Sequence, residues 1–198
     1  MISSAPRTTH VPAEDACRSE KKPNADETDR TKDRIDMKIL KIGGSFITKK
    51  SGYREPDPAN IGKAAAAVAR VWKKGVRDFI LVHGAGSFGH ALVIKHDIAN
   101  GIQSTAEKIG YSDTHAACSE LSLLLVKALV ENGVPAISIP PAVIIEQKNK
   151  RISRFDTRVV LDYLSSGYLP ILYGDMVPDK SLGGSVCSGD QIVPPSDL

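Results

Sequence analysis

The stretch Asp78–His90, DFILVHGAGSFGH, constrains the fold more than any other part of the chain. Phe79, Ile80, Leu81 and Val82 form an apolar run without alternation, the pattern of a strand buried on both faces. The run ends in a turn with glycines at 84, 86 and 89. Glycine admits positive φ and close approach of the backbone to a ligand. Free N–H groups at a strand-to-helix turn form an anion site. A plain tight turn at a sheet edge has the same composition, so this loop alone leaves both readings open. A second glycine turn tips the balance. Met37–Ile42 (MKILKI) is another strand-like run, and it leads straight into Gly43-Gly44-Ser45. Two buried strands, each ending in a glycine turn, place both turns at the C-terminal edge of one sheet if they are parallel. Open α/β sheets bind ligands at that edge.

The rest of the chain fits this frame. Asp57 reads as an N-cap with Pro58 at the first helical position, and the helix runs to Lys74 and Gly75. Thr105–Asn132 reads as one long helix or two in succession, with an apolar stripe through Ala117, Leu121, Leu124, Leu125 and Ala128. Pro135–Pro140 is a short strand. Ala142–Asp156 is ambiguous: Val143-Ile144-Ile145 looks extended and Lys148–Arg151 looks like a hairpin tip. Asp156 is expected to cap a helix over Thr157–Ser166. Leu169–Tyr173 is a further buried strand ending in Gly174-Asp175. Met176–Cys187 suits a hairpin around Gly183-Gly184, followed by Ser188-Gly189-Asp190. Strands alternating with helices predict a three-layer αβα sandwich around a mainly parallel sheet, spanning 37–198.

Residues 1–36 differ from this pattern. They hold seven Lys/Arg and eight Asp/Glu but only five strongly apolar residues. Such a segment cannot bury enough surface to offset its ordering entropy and is expected to be a disordered tail. It lacks the apolar core of a secretory signal, and Met37 is a candidate start. The net charge of +3 is small and the basic residues are interspersed with acids, which gives no case for nucleic acid. No apolar run is long enough to span a membrane. Cys17, Cys118 and Cys187 are far apart and show no metal spacing. They read as reduced thiols of a cytoplasmic protein.

The turns offer lysines (Lys41, Lys49, Lys50), imidazoles (His83, His90), amide groups and late acids (Asp175, Asp190). Paired carboxylates for glycoside work, a metal cluster and a serine elbow are not apparent. Lysines with glycine turns are what phosphoryl transfer needs, because that reaction depends on positioning and charge neutralisation. There is no G-x-x-x-x-G-K-[ST] element. The acid that a dinucleotide-binding unit places after its second strand has no clear candidate either. Each residue also has a plainer role: Lys50 as a solvated loop lysine, His90 as a helix-start residue, Asp190 as a helix N-cap. His83, directly after its strand, reads as a structural anchor, and His96 and His115 as incidental.

KIGGS at Lys41–Ser45, the lysine at 50, HGAGSFGH at His83–His90, YGD at Tyr173–Asp175 and SGD at Ser188–Asp190 together resemble the isopentenyl phosphate kinases of the amino-acid-kinase superfamily. The resemblance runs from about Met37 to Val193. It implies transfer of the ATP γ-phosphate to isopentenyl monophosphate in isoprenoid biosynthesis, by the alternative mevalonate route, with Mg²⁺ as the companion of ATP. In that light Lys41 would contact the β/γ-phosphates and Lys50 would neutralise the transition state. Ile42, Gly43, Gly44, Ser45 and Gly86 would line the ATP phosphates. His90 would hold the acceptor phosphate beside Ala85 and Gly174, and Asp190 would orient the lysines. A phosphate monoester is already anionic at neutral pH, so it needs charge neutralisation rather than a general base. A homodimer through Thr105–Asn132 is implied by analogy. Members of the family continue well past the SGD motif, whereas eight residues follow Asp190 here. The resemblance therefore implies a domain incomplete at its C-terminus. A kinase for another small phosphate or phosphonate such as fosfomycin, or a phosphate-binding remnant without turnover, fits the same motifs.

Overall fold

The computed structural model describes residues 37–49 and 52–193. The tail expected over residues 1–36, Lys50 and the Pro194-Pro195 pair lie outside the described residues. In chain order, strand β1 (Lys38–Ile42) leads into the one-turn helix α1 (Gly44–Ile47), then α2 (Pro58–Lys73), β2 (Phe79–His83) and α3 (Gly86–Lys95). The long helix α4 (Thr105–Glu131) follows, then β3 (Ala136–Ser138), the one-turn α5 (Pro141–Ile144), β4 (Ile145–Lys148) and β5 (Arg151–Phe155). Helix α6 (Arg158–Ser165), β6 (Leu169–Tyr173), β7 (Asp175–Val177), β8 (Ser185–Cys187) and α7 (Gly189–Ile192) complete it.

Strands β1, β2, β6 and β3 form one parallel sheet in the order β1-β2-β6-β3. Side chains alternate across it, as strand geometry demands. Phe79 and Leu81 of β2, with Leu169 and Ile171 of β6, face α2, α3 and α4. Ile80, Val82 and Leu172 face the opposite side, against Val160 of α6, Ile192 of α7 and Val177 of β7. The two covered faces match the layered α/β expectation. The second outer layer, however, is only partly helical: the antiparallel pairs β4–β5 and β7–β8 share it with α5, α6 and α7. Among the described residues no helix is long and apolar enough to cross a membrane.

Local sequence accounts for most element ends. Asp57 caps α2, its carboxylate accepting from the Asn60 amide at 3.0 Å. Ser104 and Glu107 make a reciprocal capping box at the start of α4, which runs unbroken through the stretch expected as one helix or two. Asn149 and Lys150 take positive φ (51° and 61°) at the β4–β5 tip, so the hairpin expected there is present. Val143 and Ile144 correct one expectation: they close the turn α5 and are not extended. The cap of α6 corrects another. Thr157 occupies the cap position, and Asp156, one residue earlier, accepts from the Arg158 amide. The run MKILKI forms a strand but not a buried one. It lies at the sheet edge, and Leu40 is 42% exposed.

The Asp179 carboxylate binds the β4–β5 and β7–β8 pairs together. It accepts from the amides of Asn149, Lys150, Ser181 and Leu182 and from the Ser185 hydroxyl. These donors hold its pKa down to about 2 although burial acts the other way. From the same β4–β5 tip, Lys150 O accepts from Gln191 Nε2 at 2.8 Å, and Gln191 Oε1 accepts from Ser188 N at 2.9 Å. The short helix that carries Asp190 is therefore anchored from outside the sheet.

Candidate active site

The parallel register aligns the ends of three strands. Ile42 pairs with His83, and His83 pairs with Tyr173. A glycine follows each of these residues, so Gly43, Gly84 and Gly174 lie in one row at the C-terminal edge of the sheet. Backbone bonds fasten the row: Gly84 N donates to Ile42 O at 3.0 Å and Gly174 N to His83 O at 2.9 Å. Glycine is needed here chiefly because the turns touch each other. A Cβ on Gly44 would lie 2.3 Å from Gly86 N, and one on Gly86 would lie 2.7 Å from Gly44 O. Gly86 also has φ +52°. Thr48 pins both loops. Its hydroxyl donates to Gly44 O at 2.9 Å and accepts from Ser87 N at 3.1 Å. Gly43 differs: a Cβ there would meet nothing within 4 Å.

A cavity of about 340 Å³ opens over this row. Nine of the residues singled out from the sequence line it: Lys41, Gly43, Gly44, Ser45, Ala85, Gly86, His90, Gly174 and Asp190. Lys41, at the end of β1, donates to Asp190 Oδ1 from the first turn of α7. Ser188 is the cap residue of α7, which leaves the Asp190 carboxylate for Lys41 rather than for capping. His90 sits one turn into α3 and is exposed. Ile42 does not line the cavity; its side chain packs against the core and its carbonyl holds Gly84. Lys50 lies outside the described residues. Lys49 is paired with Glu55 at 2.5 Å, and this pairing raises its pKa.

His83 bears out its reading as an anchor. It is fully buried, stacks on Tyr173 at 5.4 Å between ring centroids, and its Nδ1–H donates to Gly84 O. Burial pulls its pKa down to about 4, so the ring is neutral. His115 and His96 are not incidental. His115 Nδ1 lies 2.9 Å from Asp175 Oδ1, and His96 Nε2 lies 3.0 Å from Asp113 Oδ2. Asp113 also accepts from Arg54, which ties the loop after α1 to α4. Sequence reasoning also passed over Thr114, Cys118, Met176 and Val186 as cavity residues. A signal for two of them exists. Gly110, Thr114, Cys118 and Ser122 recur at i+4 spacing within α4, a row of small residues on an otherwise apolar face.

Among the described residues no three His, Cys, Asp or Glu side chains gather to hold a metal ion. The site offers a lysine, an exposed imidazole and the glycine-rich turns 43–45 and 84–86 on one concave wall, a setting for anionic groups.

The amino acid kinase family model matches residues 36–193, and the chain belongs to that family. Within it, the chain is similar to isopentenyl phosphate kinases. That of Methanothermobacter thermautotrophicus is 34% identical over 165 residues, covering 79% of this chain and 60% of its own. That of Thermoplasma acidophilum is 33% identical over 158 residues, covering 79% of this chain and 60% of its own. An X-ray structure of isopentenyl phosphate kinase superposes with a TM-score of 0.71 at 34% identity, covering 78% of this chain and 64% of that one. The chain thus spans about 60% of the length of these two curated relatives.

Proposed function

We propose that this chain serves phosphoryl transfer from ATP to isopentenyl monophosphate, giving ADP and isopentenyl diphosphate. An oxygen of the acceptor phosphate bonds to the γ-phosphorus while the bond to the β-phosphate oxygen breaks. The observation that carries this reading is the row of Gly43, Gly84 and Gly174 with Lys41, Asp190 and His90 opening onto the same cavity. The similarity to isopentenyl phosphate kinases supports the choice of acceptor.

In this reading Lys41, oriented by Asp190, meets the β/γ-phosphates, and Lys50 neutralises charge at the transferring group. Amides of Gly43, Gly44, Ser45 and Gly86 face phosphate oxygens. His90 holds the acceptor phosphate beside Ala85 and Gly174. Two anions can meet only if their charge is offset, and preorganised cations and dipoles do this without reorganising. Mg²⁺, as the companion of ATP, would add charge neutralisation at the phosphates beside Lys41 and Lys50. We further propose a cytoplasmic enzyme that dimerises through α4, where Ile109, Leu123 and Val130 are exposed.

ADP release with Mg-ATP and isopentenyl monophosphate, against a blank without acceptor, tests the proposal. Acceptor-dependent release that falls by about a hundredfold in His90→Ala is the expected result. Release that ignores the acceptor would overturn it, and so would an unchanged His90→Ala variant.

A further inference from the structure

Asp175 is an unexpected residue for a wall that receives phosphate. It follows Gly174 directly and lines the cavity, yet its side chain is fully shielded from solvent. A buried carboxylate beside an anion site repels the anion, and the low dielectric of the interior strengthens that repulsion. The field of this carboxylate reaches the cavity wall. Burial raises the pKa of Cys118, itself a lining residue, and the Asp175 charge adds to the rise; the same two causes act in the same order on Tyr111 and Cys187.

Burial pushes the pKa of Asp175 itself upward, and His115, its one basic side-chain partner among the described residues, opposes that rise. His115 of α4 places Nδ1 2.9 Å from one oxygen and 3.0 Å from the other. The Met176 amide also donates to it at 2.8 Å. His115 keeps 34% of its side chain exposed and borders a shallow groove on the outer side of α4. The other acid on that groove, Glu120, is engaged by Arg54 at 2.9 Å and does not compete for the imidazole. The pair therefore runs from the solvent side of α4 to the cavity wall.

We propose that His115 is a positioning residue for the anionic acceptor: paired with Asp175, it cancels the one buried negative charge beside Gly174. Asp175 in turn gives β7 a hydrogen-bonded tie to α4. The hydrogen bonds and the charge have different consequences. An amide at 175 keeps an acceptor for the Met176 N–H and carries no charge. This inference rests on the phosphate-acceptor reading above.

The test is titration calorimetry of the full chain with isopentenyl monophosphate, with ATP, and with inorganic phosphate as a second anionic probe. His115→Gln leaves the carboxylate uncompensated, so the acceptor Kd should rise by about tenfold or more while the ATP Kd stays within about twofold. Adding Asp175→Asn removes the charge, and acceptor binding should return towards the level of the unaltered chain. A purely structural role for the pair predicts that the double variant binds no better than His115→Gln. That result, or an unchanged acceptor Kd in His115→Gln, overturns the inference. Should His115→Gln fail to fold, Asp175→Asn alone decides: binding at least as tight as in the unaltered chain supports it, and weaker binding overturns it. An unaltered chain that binds inorganic phosphate but not isopentenyl monophosphate overturns the proposed acceptor, and phosphate then reports the charge effect by itself. A chain that binds neither anion overturns both.

Discussion

His83 illustrates how a single side chain can be read correctly in kind and still hold a consequence that only the structure supplies. Its place directly after an apolar strand suggests an anchor. Its complete burial and stacking on Tyr173 could not be read from neighbours in sequence, because Tyr173 lies on a strand 90 residues away. The consequence is a pH dependence. Unfolded, the imidazole takes up a proton near its ordinary value of 6.5, whereas in the folded chain burial holds it off until about 4. The folded-state pKa is the lower one, so the stability this provides is complete above about 6.5 and is lost as pH falls towards 4. A shift of this size corresponds to about 3 kcal/mol. His115 works in the opposite sense. Its hydrogen bond to Asp175 raises its pKa, so its contribution is present at low pH and fades on the alkaline side. Urea midpoints followed between about pH 6.5 and 4 should therefore fall steeply for the unaltered chain and much less for His83→Phe. That variant gives up one hydrogen bond to Gly84 O, about 1 kcal/mol at every pH. Equal slopes in the two proteins would assign the acid sensitivity to other groups.

At the scale of elements, the two glycine turns were legible as a pair, but for only part of the right reason. Their composition points to anions, yet the close contact of Gly44 with Gly84 and Gly86 is a matter of backbone packing between loops 40 residues apart. The strands of the parallel sheet were equally readable from apolar runs, and the start of α2 from Asp57. The short helices α1 and α5 were not predicted as helices, and α7 only through the reading of Asp190 as an N-cap, which Ser188 holds instead. One turn is too brief to display a 3.6-residue period, and tertiary contacts determine its conformation. The glycines separate packing from ligand approach in a way that can be tested. Gly86→Ala places a Cβ 2.3 Å from Thr48 Oγ1 at a positive φ, so it should lower stability by about 1–3 kcal/mol and open the loop pair. Gly43→Ala has free space and an ordinary extended φ of −62°, and should melt like the unaltered chain. If phosphate oxygens approach Gly43, its added methyl should raise the ATP KM by about tenfold with little change in melting temperature. A Gly43→Ala protein with unchanged ATP KM would restrict the phosphate contacts to the other amides.

Across the whole molecule, the alignment of the site follows from sheet order, which no local pattern discloses. Parallel strands were inferred correctly, but only the register of β1, β2 and β6 brings their three terminal glycines into one row. Sheet order also explains the correction to β1. A run of isoleucine, leucine and lysine forms a strand in either position, and being at the edge is what leaves it exposed. Among the described residues β1 pairs with β2 alone. Beside it Leu40, Phe46 and Val71 are 42%, 46% and 40% exposed, and they border an apolar groove of about 490 Å³ with Ala64, Ala67 and Val68. An unpaired edge next to apolar surface is a template for association, and Lys38 and Lys41 oppose it only in part. The sedimentation coefficient of the unaltered chain should therefore rise with concentration across the micromolar range. Leu40→Lys adds a charge at the strand centre, where the side chain is already nearly half exposed. It should keep the melting temperature within a few degrees, because exposed substitutions cost about 0.5 kcal/mol or less. Its sedimentation coefficient should stay flat over the same range. A coefficient independent of concentration in the unaltered chain would show that the edge does not recruit partners. Association that persists in Leu40→Lys but disappears in Leu123→Glu would locate the contact on α4 instead, the face proposed for the dimer.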